Sequence, residues 1–300
     1  MLFPEAKSLN TPPEWIKRDT GWVSVVINGV HKTPFSRIKS QYADLTEDEA
    51  RAKGYMKGNL KKEQVFTILK RTTSPCTIYK KQKLDRDDII DITDFDVVKW
   101  IRSEMEGQLD EEIARAILIG DGRPSDSDDK VKEDCIRPIV KDVPLFNVKV
   151  NVNVPAGATG AEKADAIIDS VLRSRKEYKG SGNPTLFTTE DWLTEMLLLK
   201  DGIGHRLYKT EAELATALRV SKIVTVEVME GYEVDNKPLV GVIVNLNDYN
   251  VGADKGGAVN MFDDFDIDYN KEVYLIETRI SGALTVPFSA LVLETEVSNG

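Results

Sequence analysis

The chain is poor in the residues on which most enzyme chemistry depends. Among 300 residues there are two histidines, His31 and His205, which argues against histidine-based acid–base catalysis and multi-histidine metal sites. The two cysteines, Cys76 and Cys135, stand far apart and outside any paired motif. A disulfide framework is therefore not expected, and a reducing, cytoplasmic place of synthesis is. Positive charge is in deficit: 40 Lys and Arg face 50 Asp and Glu, a net charge of −10. Gripping phosphate backbones is thus not the main task of the chain. No run approaches eighteen apolar residues, so no membrane span is expected. Met1–Lys7 lacks the basic-then-apolar pattern of a secretory leader. The P-loop, zincin and nucleophile-elbow motifs are missing. Gly180-Ser181-Gly182 lacks the third glycine and the strand–helix setting of a dinucleotide fold. His205 reads as a loop residue. No catalytic residue and no cofactor are expected.

What is present suffices for a core, with 41 % hydrophobic and 7 % aromatic residues, and the length fits one large domain or two to three packed ones. Residues 1–34 read as an extended stretch, because Pro4, Pro12, Pro13 and Pro34 oppose helix and Trp22–Ile27 is β-prone. It is either an arm that buries Phe3, Trp15 and Trp22 against something else or an ordinary N-terminal strand. From Arg51 to Arg86 eleven Lys and Arg face two acids, Glu63 and Asp85. Inside this run Gln64–Lys70 and Cys76–Lys83 are β-prone, and Arg71–Pro75 between them suggests a hairpin with a five-residue turn. Such a ribbon carries too little apolar surface to stand alone. It must lie on something, and that something should be acidic.

The next block is acidic, with seventeen Asp and Glu against eight Lys and Arg from Asp87 to Asp142. It holds the clearest helix. Thr93 and Asp96 suggest a capping box. Val97, Ile101, Met105, Leu109, Ile113, Ala116 and Ile117 recur at helical spacing, and Gly120 supplies a stop. At about 25 residues this helix would run about 38 Å. A strand at Phe146–Val154, a helix at Ala161–Lys179, a strand at Pro184–Phe187 and a helix opened by Thr189 follow. Then come a short helix at Glu211–Leu218 and strands at Ile223–Met229 and Leu239–Asn245. The C-terminal part reads as two long strands, Val273–Ile280 and Leu284–Leu293, joined around Ser281-Gly282-Ala283. Asp263, Asp264, Asp266 and Asp268 first suggest a cation loop. The mid-loop glycine position holds Tyr269, however, and no glutamate closes the loop. Acids on one solvated strand face account for the run. The loop Asp121–Asp129 likewise has no completed ligand pattern.

From Ile92 to Arg123 the chain resembles the spine helix of tailed-phage major capsid proteins with the Hong Kong 97-type fold. In those proteins a long helix ends at a turn like Ile119-Gly120-Asp121-Gly122. Asn183–Trp192 and Leu198–Gly202 resemble that family's strand and Trp-bearing helix. The resemblance implies an α+β subunit with an N-terminal arm (1–34), an E-loop β-hairpin (35–88), a P domain (89–145 and 263–300) and an α/β A domain (146–262). The P domain would hold the long spine helix and the long terminal strands. It implies self-assembly as hexamers and pentamers into an icosahedral virion shell around DNA, with no sequence-specific contact to the packaged DNA. Assembly would take place in the bacterial cytoplasm with portal, scaffolding or decoration proteins. The chain starts close to the arm, as expected of a mature product, of a subunit served by a separate scaffold, or of a truncated chain. Lys61, Lys62, Lys70, Arg71, Lys80, Lys81, Lys83 and Arg86 of the E-loop become inter-subunit candidates. Glu104, Glu106, Asp110 and Glu111 on the helix are their acidic counterparts. A nanocompartment shell of encapsulin type has the same fold and is the nearest alternative. A soluble metal-dependent enzyme using Asp263–Asp268 is the remote one.

Overall fold

A computed structural model describes residues 19–44, 51–61, 67–91, 97–155, 157–254 and 259–298. Its organising element is the long helix, α3 in chain order after α1 (Gly21–Gly29) and α2 (Arg86–Asp91), which runs from Val97 to Leu118 over 22 residues. That is about 33 Å at 1.5 Å per residue. Ile101, Met105, Leu109, Ile113 and Ile117 form its buried stripe at the i, i+4 spacing read from the sequence. It ends at Gly120, whose φ of +92° is left-handed and whose N–H donates to the Arg115 carbonyl at 3.1 Å. A side chain there would be strained and would press Pro138. The capping box at Thr93 and Asp96 lies outside the described residues.

The β-prone run Trp22–Ile27 is not a strand. It lies in α1, where Trp22, Val23 and Val26 are buried in the same core as the α3 stripe. Trp22 and Val26 are one turn apart, so a helix puts both on that face, and burial outweighs the modest helix propensity of β-branched residues. The Asp19 carboxylate accepts the Gly21 N–H at 3.0 Å and opens the helix.

The first sheet is built on β12 (Lys271–Leu284). Along one edge β12 pairs antiparallel with all of β4 (Cys76–Asp85), from Lys271↔Asp85 to Ile280↔Cys76. Along the other it pairs with β11 (Asn260–Asp266) and then β10 (Tyr249–Ala253), which carries β1 (His31–Thr33) in parallel. Tyr274, Ile276, Thr278 and Ile280 alternate as the buried face of β12. Ser281-Gly282-Ala283 does not turn the chain, because β12 runs through it unbroken. Small residues are needed there for a close approach: a Cβ on Gly282 would meet the Tyr249 hydroxyl at 2.7 Å. The Gly282 N–H donates to the Cys135 carbonyl at 2.8 Å.

The expected hairpin between the 64–70 and 76–83 runs is also corrected. β3 (Thr67–Thr72) pairs antiparallel with β2 (Lys39–Asp44) to form a separate two-stranded ribbon. After Thr73–Pro75 the chain leaves this ribbon and β4 joins β12. Cys76 thereby faces Ile280 across the ladder, and it is disulfide-bonded to Cys135, with Cα atoms 5.8 Å apart. The wide sequence separation concealed this bond, because the two cysteines meet only once the sheet has formed.

The second sheet has the order β5-β13-β9-β6-β7, with β8 (Glu233–Val234) hydrogen-bonded to β9. Its strands are β5 (Asn147–Pro155), β6 (Thr185–Thr188), β7 (Ile223–Thr225), β9 (Lys237–Val244) and β13 (Ala290–Ser298). The long terminal strands therefore diverge, β12 into the first sheet and β13 into the second. The second core gathers Ile167 and Val171 of α4 (Gly160–Ser174), Leu193 and Met196 of α5 (Glu190–Leu197) and Leu214 of α6 (Glu211–Ala217) against Leu291, Leu293 and Ile243. Thr159 and Glu162 form a full capping box on α4, and Thr189 and Thr210 cap α5 and α6.

Candidate assembly surfaces

Among the described residues, the contacts that hold the β2–β3 ribbon gather at its base. Arg71 reaches Asp142 through two nitrogens at 3.0 and 2.5 Å, and the two side chains keep 7 % and 1 % of their exposure. The same guanidinium sits 3.8 Å from the centre of the Phe146 ring. Tyr42 meets that ring edge-on at 5.3 Å and donates to the Thr285 carbonyl at 2.5 Å. Thr73 accepts from the Ile38 N–H at 3.0 Å and bonds the Ser281 hydroxyl at 2.8 Å, and Ser281 in turn donates to the Ser36 carbonyl.

Beyond that base most of the described side chains are exposed. Lys39, Gln41 and Ala43 on β2 and Thr67–Lys70 on β3 are exposed. So are Tyr55, Met56 and Leu60 in the connection, Leu60 at 91 %. Ile68 and Leu69 point to opposite faces and both are open to solvent. A two-stranded ribbon is marginal in water, and this one shows apolar side chains on both faces, the mark of a surface made to be covered.

The structure divides the basic candidates between two places. Lys61 and Lys70 belong to the ribbon and its connection. Both are exposed, and the Lys61 ammonium lies 5.1 Å from the centre of the Tyr55 ring. Lys62 lies outside the described residues. Lys80, Lys81 and Lys83 are on β4, at the edge of the first sheet. Lys80 and Lys81 are exposed, whereas Lys83 reaches Asp266 across β12 at 3.2 Å. Arg86 opens α2, its guanidinium 5.4 Å from the Phe265 ring. Arg71 is committed inside the subunit. The acids Glu104, Glu106, Asp110 and Glu111 line α3 half-buried, and Glu106 accepts from Arg102 at 2.9 Å.

Sequence reasoning missed Asp142, Tyr42, Thr73 and Ser281, because isolated polar residues carry no periodic signal. It also missed the exposed apolar residues of the ribbon, which a strand pattern alone assigns to a core. Between β4, α3 and the loop after Gly122 lies a cleft of about 690 Å³ that includes Tyr79, Lys80, Lys81, Glu112, Arg123 and Lys130. Glu112 pairs with Arg123 at 3.3 Å. Burial nevertheless raises its pKa above the usual glutamate value, with Arg123 and Arg115 pulling the other way. Asp110 is raised as well, first by burial and then by Glu106. A carboxyl raised in the folded state binds protons there more readily than in the unfolded chain. The stability it contributes is present below its unfolded pKa and is lost as pH rises through the raised value. The apparent Tm should therefore fall across the window just above the ordinary carboxylate range. Glu112→Gln should make that slope shallower, by no more than one proton's share, as measured by thermal melts at a series of pH values.

Asp121, at the turn after the helix, accepts the Val131 N–H at 2.7 Å and the Arg123 N–H at 3.2 Å, closing its own loop. Asp263 and Asp264 are exposed on β11. Among the described residues no group of three His, Cys, Asp or Glu is placed to hold a metal ion, and no helix is long and apolar enough to cross a membrane. His205 is an exposed loop residue, 3.7 Å from Asp201.

A comparison with protein-family models matches residues 24–294 to the phage capsid family. A search of curated proteins returns no match. Among solved structures, the capsid of a native GTA particle superposes with a TM-score of 0.71 at 13 % identity, over 98 % of this chain and 95 % of that one. A chain from Mycobacterium phage Ogopogo gives 0.64 at 14 % identity over 98 % of both chains. The mature capsid of bacteriophage PhiM1 gives 0.60 at 12 % identity, over 97 % of this chain and 91 % of that one. At such identities the likeness speaks to the fold, which is shared along nearly the whole chain.

Proposed function

The chain belongs to the phage capsid family, a major capsid protein that forms the virion shell and not an enzyme, and we propose that it closes this shell as hexamers and pentamers around a DNA genome. The observation that carries the reading is the β2–β3 ribbon, fixed at its base and exposed along most of its described length. In this reading residues 35–88 act as the E-loop of a subunit whose P domain comprises 89–145 and 263–300 and whose A domain is 146–262. Residues 1–34 form the arm. The ribbon lies over a neighbour and covers Ile68, Leu69, Met56 and Leu60 there. Lys61, Lys62 and Lys70, with Lys80, Lys81, Lys83 and Arg86 at the sheet edge, face the flank of a neighbouring α3 at Glu104, Glu106, Asp110 and Glu111. A net charge of +9 on residues 51–86 meets −9 on residues 87–142. Exposed pairs contribute at most about 1 kcal/mol each, so closure depends on repeating many weak contacts around a symmetric particle. The net charge of −10 suits a wall that encloses DNA without reading its sequence. Assembly in the bacterial cytoplasm with portal, scaffolding or decoration proteins completes the proposal.

The test is the triple reversal Lys80→Glu, Lys81→Glu and Lys83→Glu. It should leave the circular dichroism unchanged and cost the subunit no more than about 1–2 kcal/mol, because the Lys83–Asp266 pair it reverses is partly exposed. It should lower the yield of closed particles in negative-stain micrographs roughly tenfold or more, since the loss is multiplied over every subunit. Early capsomers should also weaken as salt rises, because exposed pairs are screened beyond about 10 Å at 0.1 M. Normal shells from the triple variant would remove the edge lysines from the interface.

A further inference from the structure

The bond between Cys76 and Cys135 occupies a decisive place, because Cys76 is the first residue of β4, three residues after Thr73, whose contacts hold the ribbon's base. The two sulfurs are brought together by groups that do not depend on the bond. The β4–β12 ladder sets Cys76 opposite Ile280. Cys135 is held to the same strand by the hydrogen bond from the Gly282 N–H, and the Arg137 N–H returns one to the Gly282 carbonyl at 2.9 Å. The Ser74 N–H donates to the Asp134 carbonyl at 3.2 Å. Cys135 Sγ lies 3.1 Å from the Ile280 carbonyl oxygen, where a reduced thiol has an acceptor waiting. The site is therefore complete with the cysteines reduced and geometrically ready for oxidation.

Access is unequal. Both cysteines line the 690 Å³ cleft together with Lys80, Lys81 and Lys132, but Cys135 is 2 % exposed whereas Cys76 is half-buried. We propose that this disulfide is a late covalent lock: subunits fold and assemble with both thiols free, and a small-molecule disulfide closes the bond once the shell meets an oxidising medium. The proposal rests on the reading that shells assemble in a reducing cytoplasm. The Cys76 thiolate attacks the small disulfide, forms a mixed disulfide and releases one small thiolate. The Cys135 thiolate then attacks the Cys76 sulfur, forms the Cys76–Cys135 bond and releases the second. Two protein thiols are oxidised and one small disulfide is reduced to two thiols. Closure ties the start of β4 to the loop beneath it and constrains the 59-residue separation between them in any unfolded chain, so the foot of every ribbon is pinned covalently.

The full-length chain is quenched with N-ethylmaleimide in denaturant, once from intact cells and once from particles incubated with oxidised glutathione, and tags are counted by mass spectrometry. Two tags per chain are expected from cells and none from the treated particles. Either a bond already closed in cells or two free thiols in the treated particles overturns the proposal. Dithiothreitol should lower the Tm of oxidised particles by about 5 °C or more. Cys76→Ser should form shells at unchanged yield, melt at that lower temperature and no longer respond to dithiothreitol. An unchanged Tm on reduction of the unsubstituted chain, which no folding defect of the variant can mimic, also counts against the lock. The tag count is read whatever the assembly state, and particles are scored separately by microscopy, so a failure of the shell reading is distinguishable from a failure of the lock.

Discussion

Arg71→Met should destabilise the subunit by about 3–5 kcal/mol and abolish closed particles, because it strands the Asp142 carboxylate in the interior without its partner. Only 1 % of the Asp142 side chain is exposed. Its remaining contacts include the Val143 N–H at 2.8 Å, which cannot replace a two-nitrogen guanidinium. The Phe146 ring loses the cation stacked on it as well. Against a total stability on the order of 5–15 kcal/mol, such a loss is severe. The companion experiment is Arg71→Met with Asp142→Leu, which removes both charges. Apolar replacement of a buried pair is often neutral or stabilising, so this double variant should recover most of the urea midpoint. It should recover less of the particle yield, because the forked pair fixes the direction in which the ribbon leaves the body. A single variant with an unchanged urea midpoint would show that the pair does not hold the ribbon's base.

Trp22→Ala should cost about 3–5 kcal/mol, the range for emptying a large aromatic site in a core. Trp22 is among the largest fully buried side chains, and with Val26 it seats α1 in the core shared with α3. The expected signature is a lower urea midpoint with early proteolytic cleavage around α1, whose nine residues cannot persist as an isolated helix. Ser24→Ala, on the exposed side of the same helix, should change stability by less than about 0.5 kcal/mol. Equal effects at the two positions would show that α1 is not held by its buried face.

The helix α3 was legible because its information is local: an apolar stripe every turn and a glycine where the chain must become left-handed. The helices of the second core were legible for the same reason, and each is opened by a threonine whose side chain accepts the backbone N–H three residues on. Partnership between strands was not legible. β3 and β4 are neighbours in sequence and both alternate, yet period-two patterning names no partner. The partners turned out to be β2 and β12, one upstream and one nearly two hundred residues downstream. Ser281-Gly282-Ala283 read as a turn because small residues favour turns, whereas here they admit the Cys135 loop and the Tyr249 ring. The charge complementarity of the two blocks was visible in composition. That Arg71 belongs to Asp142 was not, since a charged residue in a basic run looks the same whether it faces water or the interior.

The position of β13 has a consequence for biosynthesis. It lies between β5 and β9, parallel to one and antiparallel to the other, so the middle of the second sheet is supplied from residues 290 onward. A ribosome that stops before Ala290 releases a chain whose second sheet is split, with two long unpaired edges exposed to other chains and to proteases. Such a fragment still carries an intact ribbon and the whole of α3, the two parts with which it would approach a growing shell. Its body would come apart before it could be built in. Chains truncated before Ala290 should therefore be cleaved by protease faster than the full-length chain and should fail to enter particles.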